Sequence, residues 1–432
     1  MADSLTFEKL KQAVSGSAAA FRCVTEYQPA GGVGDKVFPP TYEGGKYATE
    51  KRYVPGREGP VDCVLLDSVQ SQANRMELAL LDAWEAGRIE LPVIVVDFTH
   101  DRLEKRLRVT SLDAPHRIAD AILRDSYVVK NGTRGKIFRS KKRDEQSEYG
   151  MELDNVALRD ATALLRMCPT ALVFGMWDST GPKGGLGAKF QRALVSEIVG
   201  YDAVPGVKTS SRIDPLSIQK DEQTTIFASD STLGWKLDQK ADRTDGTERE
   251  PLRFGDGKPS EINHGNVTPS IGDGGFTISK AVQTTTLSLP ALRRLHFPTD
   301  VGGRPATEAE PKQQEDINVA ARTALAALGL CAATLARESG CDLRSRCLLV
   351  ATTPFEWEFL NQPGETTHER YSLSSSDALK LVKDAVADLR KHISGAWPKD
   401  PIKLTPSDEL LELVVRSQKL AAAGKGETGA EE

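Results

Sequence analysis

Short apolar runs and period-two alternation recur along the chain around 18–27, 61–66, 91–98, 170–177, 190–201, 276–288 and 346–353, and predict β-strands there. Apolar steps of three and four predict helices around 4–14, 72–86, 114–124, 154–166, 315–337, 375–393 and 407–421. The helix from 375 carries one apolar stripe of Leu379, Val382, Val386, Leu389 and Ile393. Thr405-Pro406-Ser407-Asp408 reads as a capping box with proline at the first turn of the last helix. The helix from 315 has alanine on all faces (Ala320, Ala321, Ala324, Ala326, Ala327), which suits close packing in a core. This irregular alternation predicts an α+β fold.

Two stretches interrupt the pattern. Residues 130–150 are polar and basic, and 205–275 are rich in Gly, Asp, Thr, Ser and Pro with few periodic apolar positions. Both read as insertions into one elaborated domain spanning 1–423, because long loops of this kind are usually functional or disordered. The small, charged tail 424–432 is expected to be mobile.

Composition sharpens this picture in one respect. Hydrophobic residues make up 39% and charged residues 27%, at a net charge of −5, as in a soluble globular protein. The positive residues are nonetheless clustered. From Asp101 to Arg143 there are 13 Lys and Arg against 5 Asp and Glu. The densest part holds Arg134, Lys136, Arg139, Lys141, Lys142 and Arg143 without an acid among them. Further basic positions are Lys183, Lys189 and Arg192, then Arg293 and Arg294. Such islands in an acidic chain predict a local electropositive track. The six cysteines form no Cys-x-x-Cys pair and read as reduced core residues of a cytoplasmic protein, with no structural metal. No apolar run approaches membrane-spanning length and no signal peptide opens the chain, so a cytoplasmic location is expected.

Two segments carry candidate chemistry. Asp67-Ser-Val-Gln-Ser-Gln-Ala-Asn-Arg-Met-Glu77 follows an apolar strand and opens a helix. A helix N-terminus exposes backbone N–H groups and favours an anion. Ser68, Gln70, Ser71, Gln72 and Asn74 could add side-chain donors there, and Arg75 a positive fork. The alternative is an N-capped helix with solvated polar residues. In Phe174–Tyr201, Gly181, Gly184, Gly185 and Gly187 would let the backbone approach a ligand, with Lys183 and Lys189 for phosphates. A P-loop is not present, since Lys189 follows Ala188 and precedes Phe190. A plain hairpin loop is the alternative.

These two segments, together with Thr284–Leu295 and Arg322–Leu328, resemble the backbone subunit (Cas-seven-type) of the type I-G (formerly I-U) CRISPR Cascade, in the RAMP superfamily. The resemblance covers roughly 1–395 and rests on the order and spacing of the four blocks. It implies an RRM-like (ferredoxin-like) palm with large insertions and additional helices. It also implies several copies of the subunit along one CRISPR RNA, with a thumb-like loop that touches RNA and the neighbouring copy. The other partners it implies are target DNA paired to the guide, further Cascade subunits and a recruited helicase-nuclease; no membrane and no cofactor is expected. The chain lacks the aromatic signature of an ordinary RRM, so backbone contact is expected rather than base stacking on the sheet. That suits a guide carrier, whose sequence is read by base pairing.

The expected function is therefore non-catalytic RNA binding. Gln70, Ser71, Asn74 and Arg75 would hold phosphates or 2′-hydroxyls, Lys183, Lys189, Gln191 and Arg192 would line the same groove, and Arg293 and Arg294 would add charge. Arg134–Arg143 is the candidate thumb. One rival is a RAMP-type RNA endonuclease using Asp178 or Asp273, with His264 and His296 near the groove segments. The other is a small-molecule enzyme holding phosphate in the 181–189 loop.

Overall fold

Phe21, Cys23, Thr25 and Tyr27 are buried, while Arg22, Val24, Glu26 and Gln28 between them are not, and this alternation makes the strand β1 (Ala20–Pro29). The computed structural model describes residues 2–179, 181–184, 187–219, 221–229, 233–237, 256–298, 311–361, 364 and 367–422. The tail 424–432 lies outside them. Along the chain, the main layer continues with β2 (Pro60–Asp67), helix α1 (Val69–Glu85), β3 (Leu194–Tyr201), β4 (Lys280–Ser288), helix α2 (Pro311–Glu338) and β5 (Glu356–Leu360). Across the sheet the order is β5-β1-β4-β3-β2, each neighbour antiparallel, with Glu369–Ser372 beyond β5 and Thr49–Tyr53 beyond β2. Taking β1, β3, β4 and β5 as first to fourth gives the order 4-1-3-2. Helix α1, however, leaves the added strand β2 and not β1. The class is α+β.

Helix α2 is the centre of the core, with every residue from Ile317 to Leu335 buried. It packs against α1, the helix Phe7–Ser15 and the helix Ser375–His392. Its alanines explain both facts, since small side chains let three other helices approach one helix. By length and composition Lys312–Glu338 could cross a membrane, which corrects the expectation that no run approaches that length; 89% of its apolar window is buried inside the molecule.

A second sheet runs in the order Thr133–Ile137, Ser126–Lys130, Ile402–Pro406, Ile94–Phe98, Leu107–Thr110. The basic stretch 130–150 therefore holds an edge strand and the helix Glu148–Leu153. The chain divides into two compact units, one of 1–203 with 278–432, the other Val204–Thr277. The latter is built on a long two-stranded hairpin, Val204–Arg212 with Val267–Thr277. Within it Asp214 accepts from the Gly265 N–H at 2.6 Å and the Leu216 N–H at 2.9 Å.

Three local expectations are corrected. Residues 170–177 form a helix, Thr170–Phe174, followed by the two-residue strand Met176–Trp177. Its uniformly apolar run carries no period to tell helix from strand. The helix expected at 154–166 is two short ones, Glu148–Leu153 and Thr162–Met167. The one expected at 114–124 shrinks to a 3-10 turn at Arg117–Ala119 and the single turn Ala121–Arg124.

Candidate nucleic-acid interface

The junction between β2 and α1 begins with Asp67, fully buried at the strand end. Its carboxylate accepts from Gln72 Nε2 at 2.6 Å and Arg75 Nε at 3.1 Å, and Arg344 approaches at 3.5 Å. The rest of the Arg75 fork donates to the Leu343 carbonyl at 2.6 Å. Ser68 caps the helix by accepting from the Ser71 N–H at 3.2 Å. Gln72 points inward, where its oxygen accepts from Ser196 Oγ at 2.9 Å and Gln283 Nε2 at 2.7 Å. The row continues from Ser196 to Thr285 at 2.8 Å and from Gln283 to the Tyr27 hydroxyl at 2.8 Å. The anion that this helix start favours is thus supplied by the chain itself. Of the four residues singled out here, Gln70 and Asn74 are exposed, Ser71 is half-buried, and Arg75 is committed to Asp67.

A different set does converge. After the buried helix Thr170–Phe174, Gly175 turns the chain at φ +85°, with space for a Cβ only 3.1 Å from the Arg192 nitrogen and the Phe190 carbonyl oxygen. Met176 then pairs with Phe190, and Trp177 with Lys189, in an antiparallel hairpin. The Asp178 N–H donates to the Ala188 carbonyl at 3.0 Å, which closes it. Beside the hairpin lies the short helix Leu289–Arg293, capped by Ser288 and started by Pro290. Together they enclose a groove of about 240 Å³ lined by Leu158, Leu172, Lys189, Phe190, Gln191, Ala291, Arg294 and Leu295. Arg294 donates to Gln191 Oε1 at 2.8 Å, so two predicted residues fix each other at the rim. The groove has an apolar floor, two cations and no acid in its lining.

Lys183 and Arg192 are exposed nearby in sequence, with no ion pair among the described residues. Arg293 turns inward and donates to the Ala18 carbonyl at 2.8 Å, and burial pushes its pKa down. Trp177 escaped the sequence reading because a tryptophan ending an apolar run looks like core; the residue is 64% exposed, and the Lys189 ammonium lies 5.0 Å from its ring centre.

The basic segment divides by burial. Arg139 is buried, and donates to Asp178 at 2.7 Å and Asp154 at 3.4 Å. It is a brace between the second sheet's edge and the Trp177 hairpin, not a surface cation. Arg134 stacks 3.7 Å over the Tyr127 ring and pairs with Asp408 at 3.2 Å. Lys142 pairs with Glu145 at 2.8 Å, while Lys136, Lys141 and Arg143 are exposed with no ion pair among the described residues. The Arg139–Asp178 contact anchors this cluster's backbone beside the groove hairpin.

The same contact bears on two earlier alternatives. Asp178 is buried and neutralised by Arg139, so it presents no open carboxylate. A Cβ at Gly181 would collide with that carboxylate, and one at Gly187 with the Asp178 carbonyl. These glycines serve a tight wrap around Asp178. Asp273 sits exposed on a strand of the other unit, where His264 lies edge-on to Trp235 at 6.4 Å. Burial, with help from Arg322 and Arg159, lowers the pKa of His296. Among the described residues no group of three His, Cys, Asp or Glu has metal-holding geometry.

Beyond β1 and β4, the sheet's outer positions are Arg22, Val24, Glu26 and Gln28, and Lys280, Val282, Thr284 and Thr286, with no aromatic among them. Their charges are used across strands, Arg22 with Glu358 at 2.7 Å and Lys280 with Glu26.

No curated protein matches the chain as a relative. Residues 21–205 match the family model described as CRISPR-associated protein GSU0053. That stretch contains the Asp67 junction, the basic segment 134–143 and the Trp177–Arg192 hairpin, and over these residues the chain is similar to that CRISPR-associated family.

Proposed function

We propose that this chain is a non-catalytic, RNA-binding subunit of a CRISPR effector complex, a backbone protein of which several copies line one guide RNA in the cytoplasm while the guide pairs with target DNA. Other Cascade subunits and a recruited helicase-nuclease complete the assembly. The observation that carries the reading is the groove within and beside the matched segment. In a chain of net charge −5, its lining has Lys189 and Arg294 and no acid, with Lys183 and Arg192 exposed on the same hairpin. A cationic groove of this composition favours a phosphate backbone whatever the base sequence. The paired charges on the outer sheet face support placing the RNA in the groove rather than across the sheet. The commitment of Asp178 to Arg139 supports a binding role over metal-dependent cleavage.

The test is co-expression with a CRISPR array and the other complex subunits, followed by purification and sizing of the associated nucleic acid. Discrete guide-length RNA in a multi-copy assembly, lost in the double variant Lys189→Ala/Arg294→Ala, is the expected result. A folded protein that carries no RNA and joins no assembly overturns the proposal.

A further inference from the structure

We infer that Trp177 is a stacking platform for one unpaired base of the bound RNA, and that the groove beside it therefore grips a nucleotide and not the phosphate backbone alone; this rests on the RNA-binding reading above. Trp177 is the one tryptophan among the exposed large apolar side chains, whereas Trp357 and Trp397 are fully buried. Trp177 is 64% exposed, which leaves a broad aromatic surface open to a ligand. It is also held firmly. The ring projects from a hairpin fixed by the Trp177–Lys189 pairing, by the Asp178 N–H to Ala188 carbonyl bond at 3.0 Å and by the Arg139–Asp178 ion pair at 2.7 Å. A preorganised aromatic loses little freedom when a ligand covers it.

The surroundings specify what covers it. The Lys189 ammonium lies 5.0 Å from the ring centre, and Lys189 also lines the groove whose floor is Leu158, Leu172, Phe190 and Leu295. A planar apolar face with a mobile cation over it, next to an acid-free rim with Arg294, matches a base joined to its own phosphate. The base would take the face now occupied by the ammonium, and Lys189 would move to the adjacent phosphate. Because every base has a π-face, such a platform is indifferent to sequence, which suits a carrier of arbitrary guides. The expectation drawn from the sequence concerned base stacking on the sheet face, and a platform on this hairpin lies outside it.

The experiment measures binding of the full-length protein to a single-stranded RNA of mixed sequence and to a fully abasic ribose-phosphate chain of the same length. Trp177→Ala is expected to weaken the intact RNA roughly 5- to 100-fold and to leave the abasic chain unchanged. Trp177→Phe is expected to retain most of the affinity for intact RNA. Lys189→Ala/Arg294→Ala is expected to weaken both chains. Wild-type RNA binding that Trp177→Ala does not alter, or equal losses for both chains, overturns the platform and leaves the RNA-binding reading standing. Wild-type protein that binds neither chain overturns both.

Discussion

The buried ion pair between Glu77 and Arg117 ties helix α1 to the backbone that presents the groove, and Arg117→Met tests that tie. Arg117 donates to the two Glu77 oxygens at 2.7 and 2.6 Å, and to the Gly175 carbonyl at 3.2 Å, two residues before Trp177. Both side chains are out of solvent. Removing one partner of such a pair costs about 3–5 kcal/mol, because a charge is left buried and uncompensated. The cost depends on pH in a definite direction. Burial pushes the Glu77 carboxyl up to about 7, against the pull of Arg117. In the unfolded chain it titrates near about 4.3. The folded state therefore favours the protonated acid, so this contribution to stability is complete below the unfolded value and is lost as pH rises through the folded one. Without Arg117 the folded value rises further, and the loss extends to higher pH. Urea unfolding of the variant is expected to show a deficit of about 2–3 kcal/mol at pH 8, because Glu77 escapes an uncompensated charge by taking up a proton, at about 1.4 kcal/mol per pH unit above its wild-type folded value. At pH 5, where Glu77 is protonated, the deficit should shrink to about 1–2 kcal/mol, reflecting lost packing and the Gly175 bond. Glu77→Gln/Arg117→Met should remove most of the pH dependence. Equal deficits at pH 5 and pH 8 would refute the reasoning.

Other outcomes follow from the same contacts. Asp67→Asn deprives Arg75 and Arg344 of their shared carboxylate and should cost about 2–3 kcal/mol in urea unfolding, while RNA affinity measured well below the unfolding midpoint stays near wild type. Gly175→Ala places a side chain at φ +85° against Arg192 and Phe190 and should lower stability by about 1–3 kcal/mol, with a changed Trp177 fluorescence maximum. Burial raises the thiol of Cys23 to about 11 and that of Cys331 to about 12, so native protein at pH 8 should react with a thiol reagent far more slowly than urea-unfolded protein. Because the unfolded thiols ionise first, these two sites also predict falling stability as pH climbs from about 8.5 through the folded values.

Much of the main sheet was legible because β1 and β4 bury mainly one face, and a half-buried strand writes its period into the sequence. The second sheet was largely missed: Leu107–Thr110, Ser126–Lys130, Thr133–Ile137 and Ile402–Pro406 are four- or five-residue strands, too short for a period to stand out. At the junction, the inward turn of one side chain could be read from the sequence. Gln72 sits four residues before Met76 on the stripe that continues to Leu80 and Ala83, so helical phase alone turns it inward. The pairing of Arg75 with Asp67 was not legible, since it depends on β2 ending beside that helix. Lys189, Gln191 and Arg294 were named in sequence as separate basic or polar positions, and only the pairing of 176–177 with 189–190 and the turn of Leu289–Arg293 bring them to one groove. Trp177 had no signal in the sequence, since its place opposite Lys189 exists only once 176–177 pair with 189–190.

The central claim is that this groove holds a guide by its backbone, and the measurement that tests it most directly is RNA affinity across a salt series for several unrelated guide sequences, with wild type and Lys189→Ala/Arg294→Ala. The account predicts nearly equal affinities among guides, an equal loss for all of them in the variant, and a log–log salt slope that is shallower by about 0.7 for each phosphate contact removed. A loss confined to some sequences, or a slope that the variant leaves unchanged, would contradict it.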